Sequence, residues 1–165
     1  MATAALFDRD RAVLQAAVDR ALAINPLHTR SLGTLGLLTT FSGDTVRGVE
    51  LMERSIALNP RHPGWYLIVP FLHAYQQGDF EAALGSARRI GMPQFVAGHL
   101  AAAAAAGQVG TVADARPALD ALARFDPRLI QPDGAREVWS RWIWESATVD
   151  GLVEGLEKAL ALTRD

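Results

Sequence analysis

Apolar residues recur along this chain at helical spacing. Leu14, Val18 and Leu22 fall at i, i+4 and i+8, and Val49, Met52 and Ile56 at i, i+3 and i+7. Each such segment has one apolar stripe to bury and a polar face to leave in water. The stripes and the breakers between them predict about nine helices, over residues 10–24, 29–41, 45–58, 64–77, 80–90, 94–106, 112–125, 134–146 and 149–162. The predicted fold class is all-α.

The helices end in a regular way. AVDRALAINP closes at Pro26, LMERSIALNP at Pro60, ALGSARRIGMP at Pro93 and LDALARFDP at Pro127, at intervals of 34, 33 and 34 residues. A fixed period near 34 built of helical pairs marks a solenoid, because each unit buries its stripe only against its neighbours. Gly43-Asp44 and Gly78-Asp79 fall midway between successive prolines, where Gly takes the left-handed position and Asp caps the next helix. Gly107 is expected to play the same part in the next unit, with a short insertion around 109–112. Pro63 suits a first helical turn, Asp79 and Thr148 suit N-caps, and Asp133 after Pro132 opens the penultimate helix. Pro70 lies about seven residues into its predicted helix and should kink it. Pro117 raises the same question unless its helix starts nearer Asp114. Residues 1–165 then divide as one solenoid domain: a half repeat over 8–26, repeats over 27–60, 61–93 and 94–127, and a capping helical pair over 128–165.

Composition narrows the function. The chain is 50% hydrophobic but only 7% aromatic, and its 29 alanines favour helix. Sixteen Lys+Arg against 18 Asp+Glu give a net charge of −2, which makes no electrostatic case for nucleic acid or an anionic membrane. The absence of Cys removes disulfides, thiolate catalysis and thiolate metal sites together. The first residues, MATAALFDRDRAVLQ, lack the basic region of a secretory signal. The longest weakly apolar run, 95–107, has 13 residues, against the roughly 20 of a spanning helix. A cytoplasmic protein with no cofactor is the expectation.

Several of these residues resemble the tetratricopeptide (TPR) repeat. Leu32, Leu35, Gly36, Gly43, Asp44, Gly48 and Pro60 match its helix-A apolar positions, close-packing Gly, turn, small helix-B residue and closing Pro. Tyr75, Gly78-Asp79-Phe80, Ala83 and Pro93 match the next unit, where Pro70 and Phe71 depart from the motif. His99, Leu100, Gly107, Ala115 and Pro127 match a third. GLVEGLEKALAL and LDALARFDPRLI are also similar to the C-terminal end of bacterial TPR regions that follow a nucleotide cyclase or winged-helix regulator domain.

The resemblance implies a right-handed α-α superhelix of helical hairpins whose first helices line a concave, partner-binding groove. Its lining positions are Arg30, Gly33, Leu37, Thr40 and Phe41, then Trp65, Ile68, Leu72, Tyr75 and Gln76, then Gln94, Ala97, Ala101, Ala104 and Ala105. The Ala run serves either as the smooth floor of that groove or as a surface for tight helix packing. Gly33 and Leu37 stand where a carboxylate clamp would need Lys and Asn, so a receptor for acidic C-terminal tails is not implied.

Catalytic chemistry finds little footing. His28, His62, His73 and His99 lack the three-to-five-residue spacing of a metal pair. No phosphate-cradling or nucleophile-elbow motif occurs. Glu137, Glu145 and Glu154 read as a solvated helix face. Trp139, Trp142 and Trp144 either seal the solenoid beneath the last helix or present an aromatic contact to a partner. At the other end the first full helix lacks a partner in the repeat. Val13, Leu14 and Val18 are therefore expected to leave an apolar association surface, covered by a second copy or an upstream domain. The functional expectation is a non-enzymatic protein- or peptide-binding module of a bacterial regulatory protein. The alternative is an apolar-ligand sensor holding its ligand between Trp65, Tyr75 and the Ala-lined helix.

Overall fold

The stripes fold as helices. In the computed structural model, which describes residues 2–164, the chain is all-α, with no strand among the described residues. The order is α1 (Ala2–Phe7), α2 (Arg11–Ile24), α3 (Thr29–Phe41), α4 (Thr45–Leu58), a 3-10 turn (Gly64–Leu67), α5 (Ile68–Gln76), α6 (Phe80–Arg89), α7 (Val96–Val109), α8 (Val112–Phe125), a second 3-10 turn (Pro127–Ile130), α9 (Pro132–Trp142) and α10 (Ser146–Leu162).

Local chemistry sets the boundaries. Asp10, Asp44 and Asp79 cap α2, α4 and α6, their carboxylates accepting from the N–H groups of Val13, Arg47 and Ala82 at 3.0, 3.3 and 3.0 Å. Gly43 (φ 93°) and Gly78 (φ 75°) take the left-handed turns before two of those caps. Gly107 does not follow them. α7 continues to Val109, and Gly110 (φ 84°) makes the turn. Thr148 is not the cap of the last helix either, since α10 begins at Ser146 and Thr148 sits in its first turn. Pro70 causes no break, because the 3-10 turn ends at Leu67 and Pro70 becomes the third residue of α5. Its missing N–H is one of those a helix start leaves unpaired. Pro117 does lie inside α8.

α3 with α4, α5 with α6, and α7 with α8 form three hairpins that pack in chain order. Gly36 and Gly48 let α3 and α4 touch through their backbones: a Cβ on Gly36 would lie 2.9 Å from the Gly48 oxygen, and one on Gly48 would lie 2.8 Å from the Gly36 oxygen. A large apolar core runs from Ala5 to Ala159, with a smaller one around Met52, Tyr66 and Val69.

Both ends of the chain depart from expectation. The first helix is not partnerless, because residues before Asp8 form α1, which packs on α2, α3 and α9. Leu6 is fully buried, and Leu14 and Val18 are each 1% exposed. Of the expected association surface only Val13 remains open, at 44%. Burying one leucine contributes about 1.5–3 kcal/mol, enough to hold a helix too short to persist alone. A latch secures it. The Trp144 indole N–H donates to the Leu6 carbonyl at 3.0 Å, and the Arg9 guanidinium donates to the Ser140 carbonyl at 2.7 Å. Arg9 adopts φ 54°, a left-handed conformation costing roughly 1–2 kcal/mol, and places its cation at the C-terminal end of α9. At the other end, the capping pair does not extend the row of hairpins. α9 runs back to α1, and α10 packs chiefly on α7.

Candidate functional site

The first helices of the hairpins, α3, α5 and α7, carry the predicted groove; α9 sets side chains against all three, and α10 packs along α7. α10 is seated by glycines. A Cβ on Gly155 would come 3.0 Å from the Ala104 carbonyl carbon, and one on Gly107 would come 2.6 Å from the Ala159 nitrogen, with backbone oxygens nearer still. The two backbones therefore meet with no side chain between them. The Ala run of α7 packs tightly under this helix: Ala103, Ala104, Ala105 and Ala106 are fully buried.

Polar groups fix the register of α10. The Tyr75 hydroxyl donates to the Gly151 carbonyl at 2.7 Å and accepts from Gln108 Nε2 at 3.2 Å. Burial pushes the Tyr75 hydroxyl up to about 12, since a phenolate there would lose water without gaining a cation. Gln76 Nε2 donates to Thr148 Oγ1 at 2.9 Å and to Glu145 Oε2 at 3.3 Å. Lys158 Nζ donates to Gln108 Oε1 at 2.7 Å. The chain crosses from α9 to α10 beside α3, where the Trp144 N–H donates to the Phe41 carbonyl at 2.9 Å.

The predicted lining residues thus separate by role. Leu37, Phe41, Ile68 and Ala97 converge on a cavity of about 190 Å³, completed by Phe95 and, from α9, Val138, Trp139 and Trp142. Tyr75 and Gln76 hold α10. Leu72 and Ala101 are core residues. Arg30 is exposed, and Trp65 lies edge-on to Tyr66, ring centres 4.4 Å apart, away from the cavity. The expected ligand site between Trp65, Tyr75 and the Ala helix is not formed, because α10 covers Tyr75 and the alanines. Gly33 faces inward too, giving its space to the Tyr66 ring.

Of the residues that sequence reasoning missed, Trp139 and Trp142 were visible as an aromatic cluster but not as walls of the groove. Trp142 packs against Phe7 and Phe41, at 5.1 and 6.0 Å between ring centres. A usable signal was present in α10, where Gly151 and Gly155 stand four residues apart on one face, matching the small residues of α7.

Several ionisable groups elsewhere have structural partners. His28 Nδ1 caps α3 at Ser31, His62 stacks on Tyr66, and His99 Nε2 bonds the Pro93 carbonyl at 2.9 Å. Arg88 forks onto Asp114 at 2.8 and 2.7 Å, tying α6 to the first turn of α8 and holding the carboxyl below its usual range. Among the described residues no three His, Asp or Glu gather as metal ligands. The 190 Å³ cavity is lined by apolar side chains and offers nothing to grip a metal or a phosphate. No protein-family model matches the chain, and no curated protein does.

Proposed function

We propose that the chain is a non-enzymatic, TPR-like module that binds a protein or peptide within a bacterial regulatory protein. The face made by α3, α5 and α7 is its recognition surface. The observation that supports this reading is the seating of α10 on α7, held from α5 by Tyr75 and Gln76. The surface accepts an amphipathic helix by backbone contact at small residues, with hydrogen bonds at Tyr75 and Gln76 setting its position. A partner helix with small residues at the places of Gly151 and Gly155 meets the same requirements. The in-phase turns at Gly43 and Gly78, together with the close pair Gly36 and Gly48, accord with the repeat resemblance. The histidines with structural partners accord with a role outside catalysis. No helix of the described residues is long and apolar enough to cross a membrane.

The test uses a fluorescent peptide of residues 146–162 and the full chain. In the wild type, the tethered α10 competes at an effective concentration of about millimolar, so the peptide binds weakly. In a full-length Gly155→Ala variant, whose own α10 is loosened, the peptide binds at least tenfold more tightly. Hydrogen exchange then slows in α7 and at the C-terminal end of α5. No binding to the variant, or protection that leaves α7 unchanged, refutes the reading.

A further inference from the structure

The cavity between α9 and the first helices is walled by apolar side chains. Its floor is Leu37 and Phe41 from α3, Ile68 from α5 and Ala97 from α7, and its roof is Trp139 and Trp142 from α9. Phe41, Ile68 and Trp139 are buried, so these walls are held by the core. We propose that this cavity is a binding site for a small uncharged aromatic molecule of one ring or two fused rings.

Size, polarity and wall chemistry each select that class. An enclosed apolar cavity of about 150 Å³ lined by Leu, Ile and Phe admits benzene; the 190 Å³ cleft here, open to solvent on one side, has room for a ring with a short substituent or a second fused ring. The lining side chains carry no formal charge, and the nearest polar atom among them is an indole N–H. A carboxylate or ammonium would therefore be stripped of water without compensation. Four of the eight lining residues, Phe41, Phe95, Trp139 and Trp142, are aromatic, and their rings favour offset or edge-to-face contact with a planar guest over an alkyl chain. Ala97 leaves the space: its methyl is the smallest side chain in the lining, and any larger residue there grows into the cavity. The site forms only when α9 is seated, so its occupant bridges α9 to α3, α5 and α7. It does not depend on the protein-binding reading, because it needs no partner and none of its lining residues belongs to α10.

The probes are toluene and naphthalene, with benzoate as the charged control, titrated into the full chain. The readout is the pair of indole N–H resonances of Trp139 and Trp142. Both shift saturably with toluene, with half-saturation between about 10 µM and 1 mM for a guest of this size, and benzoate binds at least tenfold more weakly. Ala97→Leu, which fills the cavity, weakens toluene binding at least tenfold while leaving the melting temperature unchanged or raised. Val138→Phe fills it from the opposite wall and serves if the first variant does not fold. Non-saturable shifts, equal binding of benzoate, or toluene binding retained in whichever filled variant folds would overturn the proposal.

Discussion

Replacing glycine by alanine inside a helix normally stabilises it, by about 0.5–1 kcal/mol, because the unfolded chain loses freedom and the helix gains a better former. Two glycines of this protein receive that same benefit in opposite surroundings. Gly85 lies within α6, and a Cβ there meets nothing within 4 Å. Gly107 lies within α7, where a Cβ would stand 2.6 Å from the Ala159 nitrogen, and still closer to the Gly155 oxygen. Backbone atoms cannot rotate away, so α10 must lift by roughly 1 Å. That forfeits part of the dispersion well of every contact along the seam, at a cost of about 2–4 kcal/mol. Gly85→Ala therefore gains about 0.5–1 kcal/mol, and Gly107→Ala loses about 1–3 kcal/mol net of the same gain. At about 2–4 °C per kcal/mol for a chain of this size, the melting temperatures separate by roughly 5–15 °C. Urea denaturation of the two full-length variants, followed by far-ultraviolet circular dichroism, measures the difference. Equal stabilisation by both substitutions would refute the seating of α10 on α7, and with it the account of the groove.

The remaining predictions concern polar contacts. Tyr75→Phe costs about 1 kcal/mol at neutral pH, by removing the bond to the Gly151 carbonyl and leaving Gln108 Nε2 unpaired. Because the folded value of Tyr75 is raised to about 12, its stabilisation is present below the free-tyrosine value of about 10 and is lost as pH rises toward 12. Alkaline unfolding monitored by far-ultraviolet circular dichroism therefore shifts to higher pH in the Phe variant. Asp114 has a lowered value, so its pairing with Arg88 stabilises above about pH 4 and fades as pH falls through the folded value. Asp114→Asn loses about 0.5–1 kcal/mol at pH 7, a difference that shrinks as pH falls below the usual carboxylate range, read from urea midpoints. Trp144→Phe removes the donor to the Leu6 carbonyl, costs about 1 kcal/mol, and speeds amide exchange in α1 roughly fivefold. Unchanged exchange there would show that the indole does not latch α1.

Much of the fold was legible because its signals are local. A carboxylate at Asp44 or Asp79 competes for the free N–H groups of the next turn whatever surrounds it, and Gly43 and Gly78 are the residues that tolerate positive φ. The spans of α3, α4 and α8 accordingly match the pattern to the residue. Gly107 was misread for an instructive reason. A glycine near a helix end serves equally as a turn or as a point of close approach, and the choice depends on a helix some fifty residues later in the chain. The short α1 was illegible in the same way, since six residues form a stable helix only where Leu6 finds a pocket and Trp144 finds a carbonyl.

The lining of the candidate site divides along the same line. The repeat resemblance implied Leu37, Phe41, Ile68 and Ala97 as lining positions of the first helices, and the structure brings these four together. Period could not say that Tyr75 and Gln76 would be spent on α10, nor that Trp139 and Trp142 would roof the cavity. The sequence by itself determined the helices, their caps and the faces they bury, because those follow from interactions within a few residues. Only the tertiary structure decided that the last two helices turn back across the groove instead of lengthening the row. That choice rests on backbone contact between Gly155 and Ala104, a fit that exists only once both helices are folded and side by side.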